Sequence, residues 1–145
     1  MNALPAPARW LGLLGLLPQI AALLATFDAQ WRWAGLAAGC LYAALIFTFL
    51  GGIWWAQALL SHAAKWRDYA LAVAPSLIAF AAVLPWCFGW RWPGPSLVVL
   101  GLSLLASPLV DRRLHRSLPM PEGWMQLRRR LSSGLGLLTL ALAVI

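Results

Sequence analysis

Gln57, Ser61 and His62 are the densest group of polar side chains inside an otherwise apolar stretch of this chain. Positions 57 and 61 are one helical turn apart and 62 lies close to the same face, so the three form a candidate polar notch for a lipid headgroup or a partner helix. His62 is the member able to move a proton near neutral pH. A general base needs an orienting group, however, and no carboxylate stands close to His62 in sequence. The structural alternative has Gln57 bonding a neighbouring helix and His62 resting at the membrane interface.

The second concentration is DRRLHRSLPMPEGWMQLRRR, residues 111–130, the only sizeable polar segment. Arg112, Arg113, Arg116, Arg128, Arg129 and Arg130, with Trp124, are candidate lipid-headgroup contacts. A basic residue near an anionic leaflet contributes about 1 kcal/mol of attraction. Pro119 and Pro121 prevent a continuous helix. A short helix over 122–130 would carry Trp124, Leu127 and Leu131 on its apolar face, lying in the headgroup layer. The same arginines also serve plain topology determination, which needs no ligand.

The elements that must position these groups follow from where charge is missing. The 145 residues include only fifteen charged ones, and the runs 10–27, 33–64, 69–90, 92–110 and 131–145 have none. A chain dissolved in hydrocarbon excludes charge in this way, whereas a soluble one needs it over most of its exterior. The mean hydropathy of +0.77 agrees. The expectation is a single all-α membrane domain over 1–145, with five transmembrane helices at about 10–27, 33–60, 69–90, 95–110 and 131–145 and a cytoplasmic loop at 111–130. The last run is short for a bilayer and crosses if Arg128–Arg130 snorkel at one end; a re-entrant fifth helix is the alternative.

Orientation comes from the Lys/Arg bias. With five spans, the N-terminal tail, second loop and fourth loop hold nine basic residues, against Arg32 and Arg91 on the other side. That predicts a cytoplasmic N-terminus and a C-terminus outside. Trp10, Trp31, Trp33, Trp66, Trp90, Trp92 and Trp124 fall at predicted span ends, at headgroup level. The segment before the first run has neither the layout of a signal peptide nor the composition of a transit peptide, so the expected location is a bacterial inner membrane. The net charge of +7 caps apolar runs and forms no soluble basic face, which argues against nucleic acid. Cys40 and Cys87 each stand alone as small apolar packing residues, and no metal or other cofactor is implied.

Helices in lipid associate through close backbone approach and interhelical hydrogen bonds. Gly35, Gly39 and Ala43 share one face of the second span and are candidate packing residues. Their partner is another helix of the chain or, alternatively, a second copy. No Asp, Glu, Lys or Arg is expected within a span, where proton relays and ion-coupled carriers usually have one. The expected function is therefore non-enzymatic: an accessory, assembly or regulatory factor for a membrane complex or the local lipid. A small oligomeric transporter is the alternative, its pore lined by Gln19, Thr48, Gln57 and Ser76. A lipid-modifying enzyme is the third reading, and needs His62, Asp111 or Glu122 to converge.

Four patches in order also resemble a known family: Phe49-Leu50-Gly51-Gly52-Ile53-Trp54-Trp55, Ala74-Pro75-Ser76-Leu77, Asp111-Arg112-Arg113-Leu114, and Pro119…Trp124…Leu127-Arg128. Together they resemble small bacterial integral membrane proteins classed as a domain of unknown function, a family that includes a mitochondrial transmembrane protein. The resemblance implies a five-helix fold and supplies no reaction. The family pattern would put a basic residue or His after Gly-Gly-Ile, where this chain has Trp54.

Overall fold

The structure, a computed structural model, describes residues 3–61, 63–115 and 120–145. Its helices are α1 (Ala6–Leu14), α2 (Leu17–Ala25), α3 (Arg32–Leu60), α4 (Trp66–Cys87), α5 (Gly94–His115) and α6 (Trp124–Val144). Among the described residues, four stretches are long and apolar enough to cross a membrane: Ala6–Ala25, Arg32–Leu60, Trp66–Cys87 and Gly94–Leu114. The protein is thus an all-helical bundle of membrane-spanning composition. α6 matches them in length with 21 residues, but Arg128, Arg129 and Arg130 occupy its first turns.

The first stretch is broken at Gly15-Leu16. Pro18, in the opening turn of α2, has no N–H to give the preceding turn. The hydroxyl of Tyr42 on α3 donates to the Gly15 carbonyl (2.5 Å) and satisfies the backbone at the break. α4 starts sharply because Lys65 N–H donates to the Asp68 carboxylate (2.9 Å) while Asp68 N–H donates to the Lys65 carbonyl (2.9 Å). α6 starts after Gly123, whose φ of 85° is a left-handed conformation that glycine adopts without a Cβ clash.

α3 runs through the middle and touches α2, α4, α5 and α6. Its face of Gly35, Gly39 and Ala43 is buried inside the chain. A Cβ on Gly35 would stand 2.6 Å from the Ala22 carbonyl oxygen, and one on Gly39 would strike Leu142 of α6. Farther along, a Cβ on Gly51 would meet the Ala72 carbonyl at 2.6 Å. Small residues thus let α2 and α4 approach α3 at backbone distance. The core between helices is built on Leu36, Phe47, Leu50, Leu97, Leu100 and Leu104, with Leu135 and Leu142 from α6. Leu45, Phe49, Leu77, Phe80, Leu102 and Leu109 face outward, as expected of a bundle whose solvent is lipid.

α5 and α6 form an antiparallel pair joined by polar contacts at successive levels. Ser107 Oγ donates to the Leu104 carbonyl (2.8 Å), which leaves it to accept from Ser132 Oγ (2.9 Å). Gly101 and Gly136 lie backbone to backbone one level on. On the other side of α6, Gln19 Nε2 of α2 donates to Thr139 Oγ1 (2.9 Å).

Every expected span has a helix that begins before its charge-derived bound, α1 taking in Arg9 and α4 taking in Arg67 and Asp68, and α5 and α6 depart farthest. α5 continues through Asp111, Arg112 and Arg113 to His115, and α6 begins before the three arginines. The polar connection is therefore shorter than 111–130, because Asp111 and Arg128 have partners inside the bundle. The ends sort cleanly. At one end, the Ala3 backbone pairs with Glu122, and Arg113 Nη2 lies 3.2 Å from Asp68 Oδ1. At the other, Trp33 contacts Trp86 with ring centroids 6.4 Å apart, and Arg32 donates to the Ile145 carbonyl.

Candidate functional site

The buried stripe of α5 is Leu97, Leu100, Leu104, Ser107, Asp111 and Leu114. Three- and four-residue steps keep one face inward, so a carboxylate enters where a fourth turn of Leu would stand. Asp111 is only 1 % exposed. The matching stripe of α6 is Arg128, Ser132, Leu135, Thr139 and Leu142, and Arg128 is 5 % exposed. The two charges meet. Arg128 Nε donates to Asp111 Oδ2 (3.0 Å), and Nη2 lies 2.9 Å from the same oxygen as an ion contact without an aligned hydrogen bond. The other oxygen, Oδ1, accepts from Trp54 Nε1 of α3 (2.8 Å).

Taking two charges out of water costs several kcal/mol per ion, offset only by close pairing and further hydrogen bonds. Both are supplied here, so the triad clamps three helices at one point. Its chemistry is that of a closed pair, since each carboxylate oxygen already has a donor. A cavity of about 190 Å³ lies beside it, apolar apart from Arg128 and Ser132 and bounded by the α1–α2 break at Leu11–Leu16.

The residues singled out by sequence are distributed as follows. Gln57 is buried, with Oε1 lacking a hydrogen-bond partner. Ser61 ends α3 in an extended conformation and its Oγ accepts from Ala63 N–H (3.3 Å). His62 lies outside the described residues, as does Arg116. Arg112, Arg129 and Arg130 are exposed, and Arg113 is exposed beside Asp68. Trp124 is half-buried. Arg128 is the correction: its charge is turned inward to Asp111, because it stands on the buried stripe of α6 while its two neighbours do not. The expectation that no Asp, Glu, Lys or Arg lies within a span gives way with it, since Asp111 falls inside the stretch Gly94–Leu114.

Two other expectations meet geometry that does not assemble them. Gln19 sits at the α2–α6 interface, Gln57 is enclosed, and Thr48 and Ser76 lie in a shallow outer cleft between α3 and α4. These four side chains share no passage. Asp111 is enclosed by Trp54 and Arg128, whereas Glu122 is exposed at the chain bend. Among the described residues no three His, Cys, Asp or Glu side chains gather as a metal site requires.

The signal that finds the ion pair was present in the spacing. Extending the Leu97-Leu100-Leu104-Ser107 rhythm by four residues lands on Asp111, and stepping back from Leu135 through Ser132 lands on Arg128. Comparison with known proteins adds family but no activity. No curated protein and no solved structure matches the chain. The family described as "Protein of unknown function (DUF3429)" matches residues 4–144, nearly the whole sequence. The chain therefore belongs to DUF3429.

Proposed function

We propose that the chain crosses the bacterial inner membrane five times, with its basic end in the cytoplasm. It acts there as a non-enzymatic accessory, assembly or regulatory factor for a membrane complex or the surrounding lipid. The carrying observation is the disposition of charge. The ion pair inside the bundle is closed on itself, whereas Lys65, Arg67, Arg112, Arg129 and Arg130 are exposed around the connections at one end. Closed pairs hold helices together; exposed arginines at headgroup level attract anionic lipid or an acidic partner.

A fifth crossing is supported by the company α6 keeps. Gly12 faces Leu131, Leu16 faces Gly134, Gln19 bonds Thr139, and Arg32 meets Ile145. α6 therefore accompanies α1–α2 through the same thickness. The cytoplasmic placement of the basic end rests on the positive-inside bias.

The direct test is purification from native membranes in mild detergent, with identification of retained proteins and lipids. Enrichment of a defined protein or of anionic lipid is expected. Recovery as a lone monomer in several detergents, stripped of both, would overturn the proposal.

A further inference from the structure

The seam between α4 and α5 is not closed by side chains. Arg67, Leu71, Ala74 and Ile78 follow one another at helical spacing down α4. On α5 the facing stripe is Arg113, Val110, Ala106 and Ser103. Between them lie two neighbouring hollows that have Leu71 in common. The upper, about 370 Å³, is lined by Trp66, Arg67, Ala70, Leu71 and Arg113. The lower, about 200 Å³, shares Leu71 and has Phe47 and Trp54 of α3 as its floor. A guanidinium thus stands at the head of each wall of an apolar groove.

We infer that this groove binds one anionic phospholipid of the leaflet at the basic end, with the phosphate held between Arg67 and Arg113 and one acyl chain lying along α4 and α5. Length, charge and surroundings each favour that occupant. From Arg67 to Ile78 is eleven helical steps, about 16 Å, and one leaflet of a hydrocarbon core of about 30 Å is about 15 Å deep. Arg113 is half-compensated by Asp68 at 3.2 Å, while no described carboxylate forms an ion pair with Arg67, which instead lies over the Trp66 ring at 6.0 Å. Two cations and one carboxylate leave a net single positive charge, complementary to one phosphodiester. Trp66 is exposed at the level where an indole favours headgroups. Trp54 in the floor is anchored by its hydrogen bond to Asp111.

The inference rests on the proposed lipid-facing role of the basic end and narrows it to one place and one class of molecule. The full chain in detergent would be titrated with phosphatidylglycerol or phosphatidylcholine of identical acyl chains and read by native mass spectrometry. One phosphatidylglycerol should bind in preference. Arg67→Gln with Arg113→Gln should weaken it about thirtyfold, about 2 kcal/mol for two basic residues. Ala74→Leu with Ala106→Leu should weaken both lipids by filling the groove. Asp68→Asn, which keeps an acceptor for Lys65 N–H, should tighten phosphatidylglycerol several-fold and needs no loss of fold to be read. Arg129→Gln with Arg130→Gln removes equal charge from the same end, outside the groove, and should weaken binding far less. An equal loss in that control, or no tightening with Asp68→Asn, would overturn the groove while leaving general attraction at the basic end intact. Equal retention of the two lipids by the wild-type chain would overturn both the groove and the attraction of the basic end for anionic lipid.

Discussion

Asp111 has a donor on each oxygen, and the two donors come from different helices. Removing either partner of a buried pair costs about 3–5 kcal/mol, because the remaining charge is stranded, whereas removing both together costs far less. Asp111→Ala and Arg128→Met should each lower stability by about that amount, and the double substitution by much less than their sum. Reversible unfolding in mixed micelles would measure it; additive losses would mean that the two charges do not depend on one another. Trp54→Phe removes one charge-assisted hydrogen bond and should cost about 1.5–3 kcal/mol. At this scale the sequence was legible in kind and misleading in place. Arg128, Arg129 and Arg130 are identical as letters, and only helical phase separates the inward one from the two exposed ones. The short helix expected over 122–130 puts Trp124, Leu127 and Leu131 on its apolar face and leaves Arg128 with its neighbours among the headgroups, whereas the buried face of α6 runs through Leu127, Arg128 and Ser132.

Helices in this bundle meet through what they lack. α3 presents Gly35, Gly39 and Gly51 where α2, α6 and α4 come closest, and Gly52 next door has nothing within 4 Å of where a Cβ would stand. The contrast predicts opposite responses to one added methyl. Gly35→Ala should destabilise by about 1–3 kcal/mol through overpacking against the Ala22 carbonyl. Gly52→Ala should be neutral or stabilising by up to about 1 kcal/mol, since alanine favours the helix and meets no neighbour. Thermal unfolding of the two variants side by side would check it, and equal losses would mean that the close approach of α2 is not what Gly35 provides. The Gly35–Gly39–Ala43 face was legible because small residues repeat every fourth position. The start of α3 was legible because the uncharged run begins there, and its end because a run to 64 is longer than a bilayer needs. The same criterion cut α5 and α6 short, because it treats every charge as a water-facing stop and has no means of seeing two that neutralise each other.

For the whole molecule, the sides of the bundle follow from which connections share an end. The N-terminal segment, the α3–α4 connection and the α5–α6 connection lie together, tied by Ala3–Glu122 and Asp68–Arg113. Reporter fusions after Asp28, Lys65, Arg91, Glu122 and Ile145 should therefore alternate out, in, out, in, out. A cytoplasmic signal from the last would mean that α6 turns back before crossing. That these three connections share an end was legible in the alternation of the uncharged runs. The α4–α5 groove was not, because an empty seam depends on how far apart two helices stand, and residue identity does not encode separation. The Asp111–Arg128 pair has a last consequence, for biosynthesis. Its halves are 17 residues apart on successive helices, so Asp111 leaves the ribosome before its counter-ion. Until α6 docks, Asp111 lacks the counter-ion that its buried position requires. A nascent chain that stops short of Arg128 would keep that mark permanently. Pulse–chase labelling should find such chains cleared faster than full-length ones, and Asp111→Asn should slow their clearance, which would make the ion pair a checkpoint on completion of the chain.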